Sequence, residues 1–370
     1  MQFRSVSKTW KSLIESSGFI AEYSSQQQHL LVSSDYADDY GNEKYVSFVD
    51  DHTFPQHKLP LTLPLSLHDY DIIGCSHGLL CLYGYRYDGN DGLTTDMAVL
   101  WNMSIRKGVV VVVPNVGDEM CTTDLGFGVC RRTNDAKIVK IKYINKWSNV
   151  GNISCIPWQV EVFTLSTRAW RSPYTTNLPR KTIRFGWDRL GVDGFFYWLA
   201  IDRIAVDGGF RSCNLIISFD ITSEEFRQIN LPDSVAQHHL SMSKLRESLV
   251  VLERIGVPSN PAFVVWMMED WAFTKLFTVN VNTPNASVKG FRKSGAPIVE
   301  LLEPEYDHTL LIVYEPYLKC IDNLETDGIE RSFSVYPYVE TLFLLDQPDL
   351  TLQFKTTFES GEEDEPQISG

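Results

Sequence analysis

The chain has 370 residues, 44% hydrophobic and 12% aromatic, so it can bury a sizeable core, and its wealth of Tyr, Phe and Trp favours strands over a helical bundle. Its formal net charge of −14 excludes binding of nucleic acid or anionic membrane through bulk charge, since both need a basic footprint. The seven cysteines are odd in number and contain no C-x-x-C, which argues against a disulfide framework or a zinc module and for free thiols in a reducing compartment. Residues 3–14, FRSVSKTWKSLI, carry a helical period: Phe3, Val6, Trp10, Leu13 and Ile14 share one face, and Arg4, Lys8 and Lys11 lie off it. A second short helix is expected in SGFIAEYSS, with Ser17 as its cap. No secretory signal opens the chain and no apolar run approaches the ~20 residues of a membrane helix. A cytoplasmic or nuclear protein with no membrane contact is expected.

Beyond residue 28 the helical period gives way to strand-like runs. HLLVSS (29–34) and KYVSFVDD (44–51) flank an acidic loop, 35–43. Next comes Gly74-Cys75-Ser76-His77-Gly78, which fits the G-x-S-x-G elbow of serine hydrolases. That elbow needs a strand leading in and a helix leading out, so that the serine Oγ stands on a strained turn. Here Leu79–Tyr87 reads as a strand ending in the turn cluster DGNDG, and no capping residue opens a helix. The expected role of Gly74 and Gly78 is structural: they bracket the entry to an inner strand, where positive φ or close backbone approach is required. A serine hydrolase using Ser76 is the alternative reading of this stretch.

A recurring plan follows. MAVLWNMSIRKGVVVVVP (97–114), VEVFTLSTRAWRSP (160–173), LIISFDITSEEFRQINLP (215–232), FVVWMMEDWAFTKLFTV (263–279) and LLIVYEPYLKCIDNL (310–324) each hold a β-branched run, an aromatic, a polar turn and a second strand. The aromatic anchors are Trp101, Phe163, Phe219, Trp266 and Tyr314, spaced by 62, 56, 47 and 48 residues. Single strands lie between them at 194–201, 248–254 and 297–303. A unit of roughly 50 residues with about four short strands is the period of a kelch-type blade. The fold expected is mainly β, a kelch-like β-propeller of about six blades, with an irregular pair of β-sandwiches as the alternative. A last run, YVETLFLLD (338–346), is expected to pair with an N-terminal strand and close the ring, removing two open sheet edges.

The motifs taken together resemble a plant family. FRSVSKTWKSLIESSGFIAEYSS resembles the C-terminal half of a plant F-box, of the form F-R-x-V-S-K-x-W-x-x-L-I. GCSHGLLCL resembles the G-S-C-N-G-L-L-C-L signature of plant F-box-associated domains, and LWNMSIRK their L-W-N-P-S-I-R-K, with Met103 where proline is usual. LGFGVCRRTNDAKIVKI, VEVFTLSTRAWRS, GFFYWLA, IISFDITSEEFRQINLP, WMMEDWAFTKLFTV and YPYVETLFLLD resemble later landmarks in the same order, so the resemblance spans residues 3 to about 346. It implies a partial F-box at 1–25 and an F-box-associated propeller at 26–350; the rest, 351–370, ends in ESGEEDEPQISG, acidic and poor in apolar residues, and is expected to be a disordered tail. It implies the substrate-recognition subunit of an SCF-type cullin ubiquitin ligase, non-catalytic itself, that raises the local concentration of a target near the ubiquitin-loaded enzyme. Phe3, Val6, Trp10, Leu13 and Ile14 would then belong to the box that binds the Skp-type adaptor and, through it, the cullin. The Leu-Pro-led first half of the box has no counterpart in the sequence, which opens at Met1 with the second half. A non-ligase binding module, or a decoy without adaptor contact, is therefore the other reading.

No catalytic residue, cofactor or metal is expected. His238-His239 has no second ligand pair at a metal-binding spacing, and Glu269-Asp270 are neighbours in a turn, which cannot form an acid–base couple. Target recognition is expected on loops such as 35–43, 85–96, 145–158 and 202–212, with a basic or neutral target favoured by the overall charge.

Overall fold

Alternating and continuous apolar runs separated by tight turns leave each segment one choice, pairing with its sequence neighbour, and the chain does so almost throughout. The computed structural model describes residues 7–14, 16, 18–19, 23, 27–35, 43–61, 67–88, 93–114, 121–144, 158–174, 179–180, 182–206, 209–281, 283–303, 308–315, 320–328 and 333–344. It opens with one helical segment, α1 (Lys8–Ile14). Ser7 caps it: its Oγ accepts from the Trp10 N–H at 3.2 Å and its carbonyl from the Lys11 N–H at 3.0 Å. Phe3, Val6, and most of the second helix expected at 17–25 lie outside the described residues.

Among the described residues, 24 strands form six four-stranded antiparallel sheets, the blades of a propeller. Blade A takes β1 (Gln28–Asp35), β2 (Glu43–Val49) and β3 (Lys58–Leu61). Blade B is β4 (His68–Ser76), β5 (Leu79–Asp88), β6 (Leu93–Asn102) and β7 (Lys107–Val112). Blade C is β8 (Cys121–Val129), β9 (Ala136–Ile144), β10 (Gln159–Thr164) and β11 (Ala169–Arg171). Blade D is β12 (Ile183–Val192), β13 (Phe195–Val206), β14 (Gly209–Asp220) and β15 (Phe226–Asn230). Blade E is β16 (Leu240–Leu245), β17 (Ser248–Val257), β18 (Asn260–Glu269) and β19 (Ala272–Asn280). Blade F is β20 (Ser287–Phe291), β21 (Pro297–Glu303), β22 (His308–Glu315) and β23 (Cys320–Gly328).

The last strand, β24 (Ser334–Val339), returns to blade A and pairs antiparallel with β1, from Gln28 opposite Val339 to Ser33 opposite Ser334. The ring is thus closed within one sheet by both ends of the propeller. The closing strand lies earlier than the 338–346 expected from sequence. After Val339 the backbone leaves the ladder because Asn102 captures it: its Nδ2 donates to the carbonyls of Thr341 at 3.0 Å and Phe343 at 2.7 Å. The apolar residues that made this run look like a strand, Leu342 and Leu344, are buried outside any sheet.

The innermost strands β24, β4, β8, β12, β16 and β20 adjoin one another around the axis. Side chains of successive blades fill the wedges between the sheets, the largest cluster running through blades B, C and D around Phe127, Phe196, Trp198 and Phe219. At Gly126 in β8 a Cβ would stand 2.6 Å from the Trp198 ring and 2.8 Å from the Phe196 ring, so only glycine lets these aromatics reach the inner strand. Polar ties reinforce the wedges. Trp170 Nε1 donates to Val112 O at 2.9 Å between blades C and B, and the Tyr314 hydroxyl donates to Asn280 O at 2.9 Å between F and E.

Four of the aromatic anchors, Trp101, Phe163, Phe219 and Tyr314, occupy one equivalent place, the penultimate residue of the third strand counted from the axis. Phe48 holds that place in blade A. In blade E it falls to Met268, and Trp266 lies two residues earlier on the same face, its Nε1 donating to Glu253 at 2.8 Å. The turns that follow in blades B, C and D share a conformation, with positive φ at Arg106, Arg168 and Glu224, each four residues after the strand's last residue.

Candidate interaction surfaces

Strand direction sorts every connection onto one of two faces. Turns from first to second and from third to fourth strands lie on one face, here the turn face. Connections from second to third strands, and between blades, lie on the opposite, loop face. The segments 35–43, 85–96, 145–158 and 202–212 join β1 to β2, β5 to β6, β9 to β10 and β13 to β14. They are the same connection in four consecutive blades, so the strands that carry them all end on the loop face. Most of these segments' central residues lie outside the described residues, as does the acidic tail.

The sequence reading missed the aromatic in the channel. The inner strand β12 is irregular: Phe185 pairs with Ala200, but the next paired residue is Arg189, opposite Trp198. The intervening Gly186-Trp187-Asp188 bulge places Trp187 in solvent at 95% exposure. Trp187 lines a cavity of about 450 Å³ in the channel with residues of β4, β16, β20 and β24. Beside it burial pushes the Asp188 carboxyl up, against the pull of Lys289 and His239. Arg189 pairs with Asp71 and lies 3.5 Å from Asp124. Burial raises the Asp124 carboxyl, with Arg189 and the Trp198 indole N–H opposing the rise. A bulge was the only sequence-level signal available, and GWD in a strand of mixed polarity does not announce one.

On the turn face α1 is held by Ile14, which packs with Leu342 and Ile105. Of the expected adaptor residues the structure therefore turns Ile14 inward, while Trp10 and Leu13 stand out at 47% and 52% exposure. Ser16 Oγ donates to the Leu13 carbonyl at 2.6 Å and finishes the helix.

The G-x-S-x-G stretch is a hairpin. Ser76 ends β4, Leu79 begins β5 opposite it, and His77 and Gly78 make the two-residue turn with φ of 50° and 73°. No helix follows Ser76, so the elbow's geometry is absent. Gly74 and Gly78 lie within and just past β4 rather than bracketing its entry. Gly78 has to be glycine twice over: its φ is positive, and a Cβ would stand 2.3 Å from Thr341 Cγ2 and 2.4 Å from Val339 O. Ser76 Oγ is 3.1 Å from His77 Nδ1, but burial, Lys244 and Arg131 all push that imidazole's pKa down. The adjacent Cys75 thiol is pushed up to about 12 by burial. His238 pairs with Glu253, and Asp270 and Trp271 form an exposed hairpin turn. Among the described residues, no three His, Cys, Asp or Glu side chains gather as metal ligands, and Cys75, Cys81, Cys130 and Cys213 are free.

A ring of six four-stranded blades, with an exposed aromatic in its channel and a short helix bearing exposed Trp10 and Leu13 on one face, defines a class of protein, the six-bladed β-propeller. Residues 49–343 match the family described as the F-box associated beta propeller domain, and the chain belongs to that family. It is similar to the F-box protein At3g07870 of Arabidopsis thaliana, 23% identical over 385 residues that cover 93% of this chain and 87% of the relative. It is also similar to the F-box protein CPR1 of the same plant, 24% identical over 307 residues, covering 76% and 69%.

Proposed function

We propose that this protein is the target-recognition subunit of an SCF-type cullin ubiquitin ligase, without bond chemistry of its own. Family membership supports the reading, and α1 carries it. The helix is pinned to the propeller through Ile14, while Trp10 and Leu13 are about half exposed and offer apolar surface to a partner. A Skp-type adaptor is that partner, and the loop face, with Trp187 at its channel, takes the target. Because α1 sits on the turn face, the two contacts point in opposite directions and do not compete for surface.

The test is co-purification of the chain with a plant Skp-type adaptor, with the Trp10→Ala/Leu13→Ala variant as control. Adaptor retained by the wild type and lost in the variant supports the ligase reading. No retention by folded wild-type protein points instead to a stand-alone binding module or decoy.

A further inference from the structure

On the turn face the channel opens into a second cavity, of about 350 Å³, walled by the ends of the inner strands and the turns that follow them. Its lining is rich in charge, with Arg131, Lys244, Arg246, Arg292 and Lys293 against Asp50, Asp193 and Glu247. Three rim cations are neutralised: Arg131 by Asp193 at 2.8 Å, Lys244 by Glu247 at 3.0 Å and Arg292 by Asp50 at 2.9 Å. Among the described residues, Arg246 and Lys293 have no ion-pair partner. The mouth is thus net positive on a chain whose formal charge is −14.

The two free cations are held by rigid backbone. Arg246 sits at φ 56° in the turn between Leu245 and Ser248, which pair with each other. The Lys293 N–H donates to Asp50 Oδ2 at 2.7 Å, so the carboxylate that neutralises Arg292 also fixes the Lys293 main chain and leaves its ammonium unmatched. Arg292 is locked further by stacking over the Phe54 ring at 4.0 Å. Charge-assisted hydrogen bonds to an anion are the strong ones. The free cations belong to turns of different blades, Arg246 between β16 and β17 and Lys293 between β20 and β21. That geometry suits a chain of spaced carboxylates better than a single small anion.

We propose that this cavity binds an acidic peptide segment of a partner protein, with carboxylates taken by Arg246 and Lys293. The site is distinct from the loop face and stands whether or not α1 binds an adaptor.

The experiment is fluorescence anisotropy of a fluorescein-labelled peptide of glutamates and glycines, titrated with the full chain. Saturable binding is expected, weakening steeply between low and high salt, with at least a tenfold loss in Arg246→Glu/Lys293→Glu and none in Lys275→Glu, an exposed site on outer strand β19. Arg246→Gln/Lys293→Gln should give an intermediate loss, a gradation that unfolding would not produce. Absence of binding to the wild type, or equal affinity in the charge-reversed variant, overturns the proposal. Binding that appears only after Glu362, Glu363, Asp364 and Glu365 are changed to amides also overturns the partner as occupant, and assigns the cavity to the chain's own acidic segment.

Discussion

Replacing Glu224 tests the argument that buried charge knits blades C and D together. Glu224 is fully buried in the turn after β14. Its carboxylate accepts from Lys137 Nζ of β9 at 2.8 Å, from Arg171 of β11 at 2.5 and 2.7 Å, and from the Tyr174 N–H at 3.3 Å. Lys137 also donates to Ile221 O at 2.9 Å. Glu224→Ala leaves a buried ammonium with only that carbonyl, and removing one partner of such a pair costs about 3–5 kcal/mol. That is a large share of the roughly 5–15 kcal/mol that holds a domain folded. Burial alone would push the Glu224 carboxyl up, but the hydrogen bonds from Arg171 and Lys137 outweigh it and hold it below the usual glutamate range. A group with a depressed folded value contributes its full stabilisation above its unfolded value and loses it as pH falls through the folded one. Urea unfolding at pH 7 should therefore show the full deficit of the variant, and the deficit should shrink in acid below the ordinary glutamate range. Glu224→Leu combined with Lys137→Met should recover most of the loss. A deficit under about 1 kcal/mol at pH 7, or one that does not change in acid, refutes the reasoning.

Trp187→Ala should leave the urea midpoint within about 0.5 kcal/mol of wild type, since little is buried there, yet weaken capture of an identified target by at least tenfold in a binding titration. Gly78→Ala should lower the melting temperature markedly, by strain of about 1–3 kcal/mol from its φ and the clash with Thr341. Asn102→Ala removes two ties to the 341–343 backbone and the capping of the Ser104 and Ile105 N–H groups. A loss of about 1–3 kcal/mol in urea unfolding is expected, with amide exchange accelerated first in β24.

The outer strands were legible in the sequence because they pack between blades. LIISF before Asp220 is buried on both sides and reads as a strand without help, and GVVVVV before Pro114 is β-branched throughout although Val112 is exposed. The inner strands were not. β4, β8, β12, β16 and β20 read HDYDIIGCS, CTTDLGFGV, IRFGWDRLGV, LSMSKL and SVKGF, broken by glycine and polar residues. One of their faces lines a wet channel and the other is crowded by aromatics, so the residues that suit them are those a strand pattern discounts. The closing strand was found but displaced, because Leu342 and Leu344 are apolar for a reason unrelated to pairing. The loops were singled out by composition, whereas their common face follows only from strand direction. Trp187 escaped because exposure is a property of a bulge, and the two free rim cations because their neighbours' pairing is decided by side chains far apart in the chain.

Shared ownership of blade A also sets the order of events during synthesis. β1 to β3 leave the ribosome first, but their axial neighbour β24 lies 311 residues behind, from Gln28 to Val339. At roughly 5–20 residues per second, the exposed inner edge of β1 waits on the order of tens of seconds before its partner exists. Through that interval it is an unpaired strand edge, open to chaperones or to a neighbouring nascent chain. A message cut short anywhere before the codons for 334–339 would yield an open fan of blades, ready to stick to others, so abundance of this protein in the cell should depend on complete translation more steeply than its melting curve would indicate.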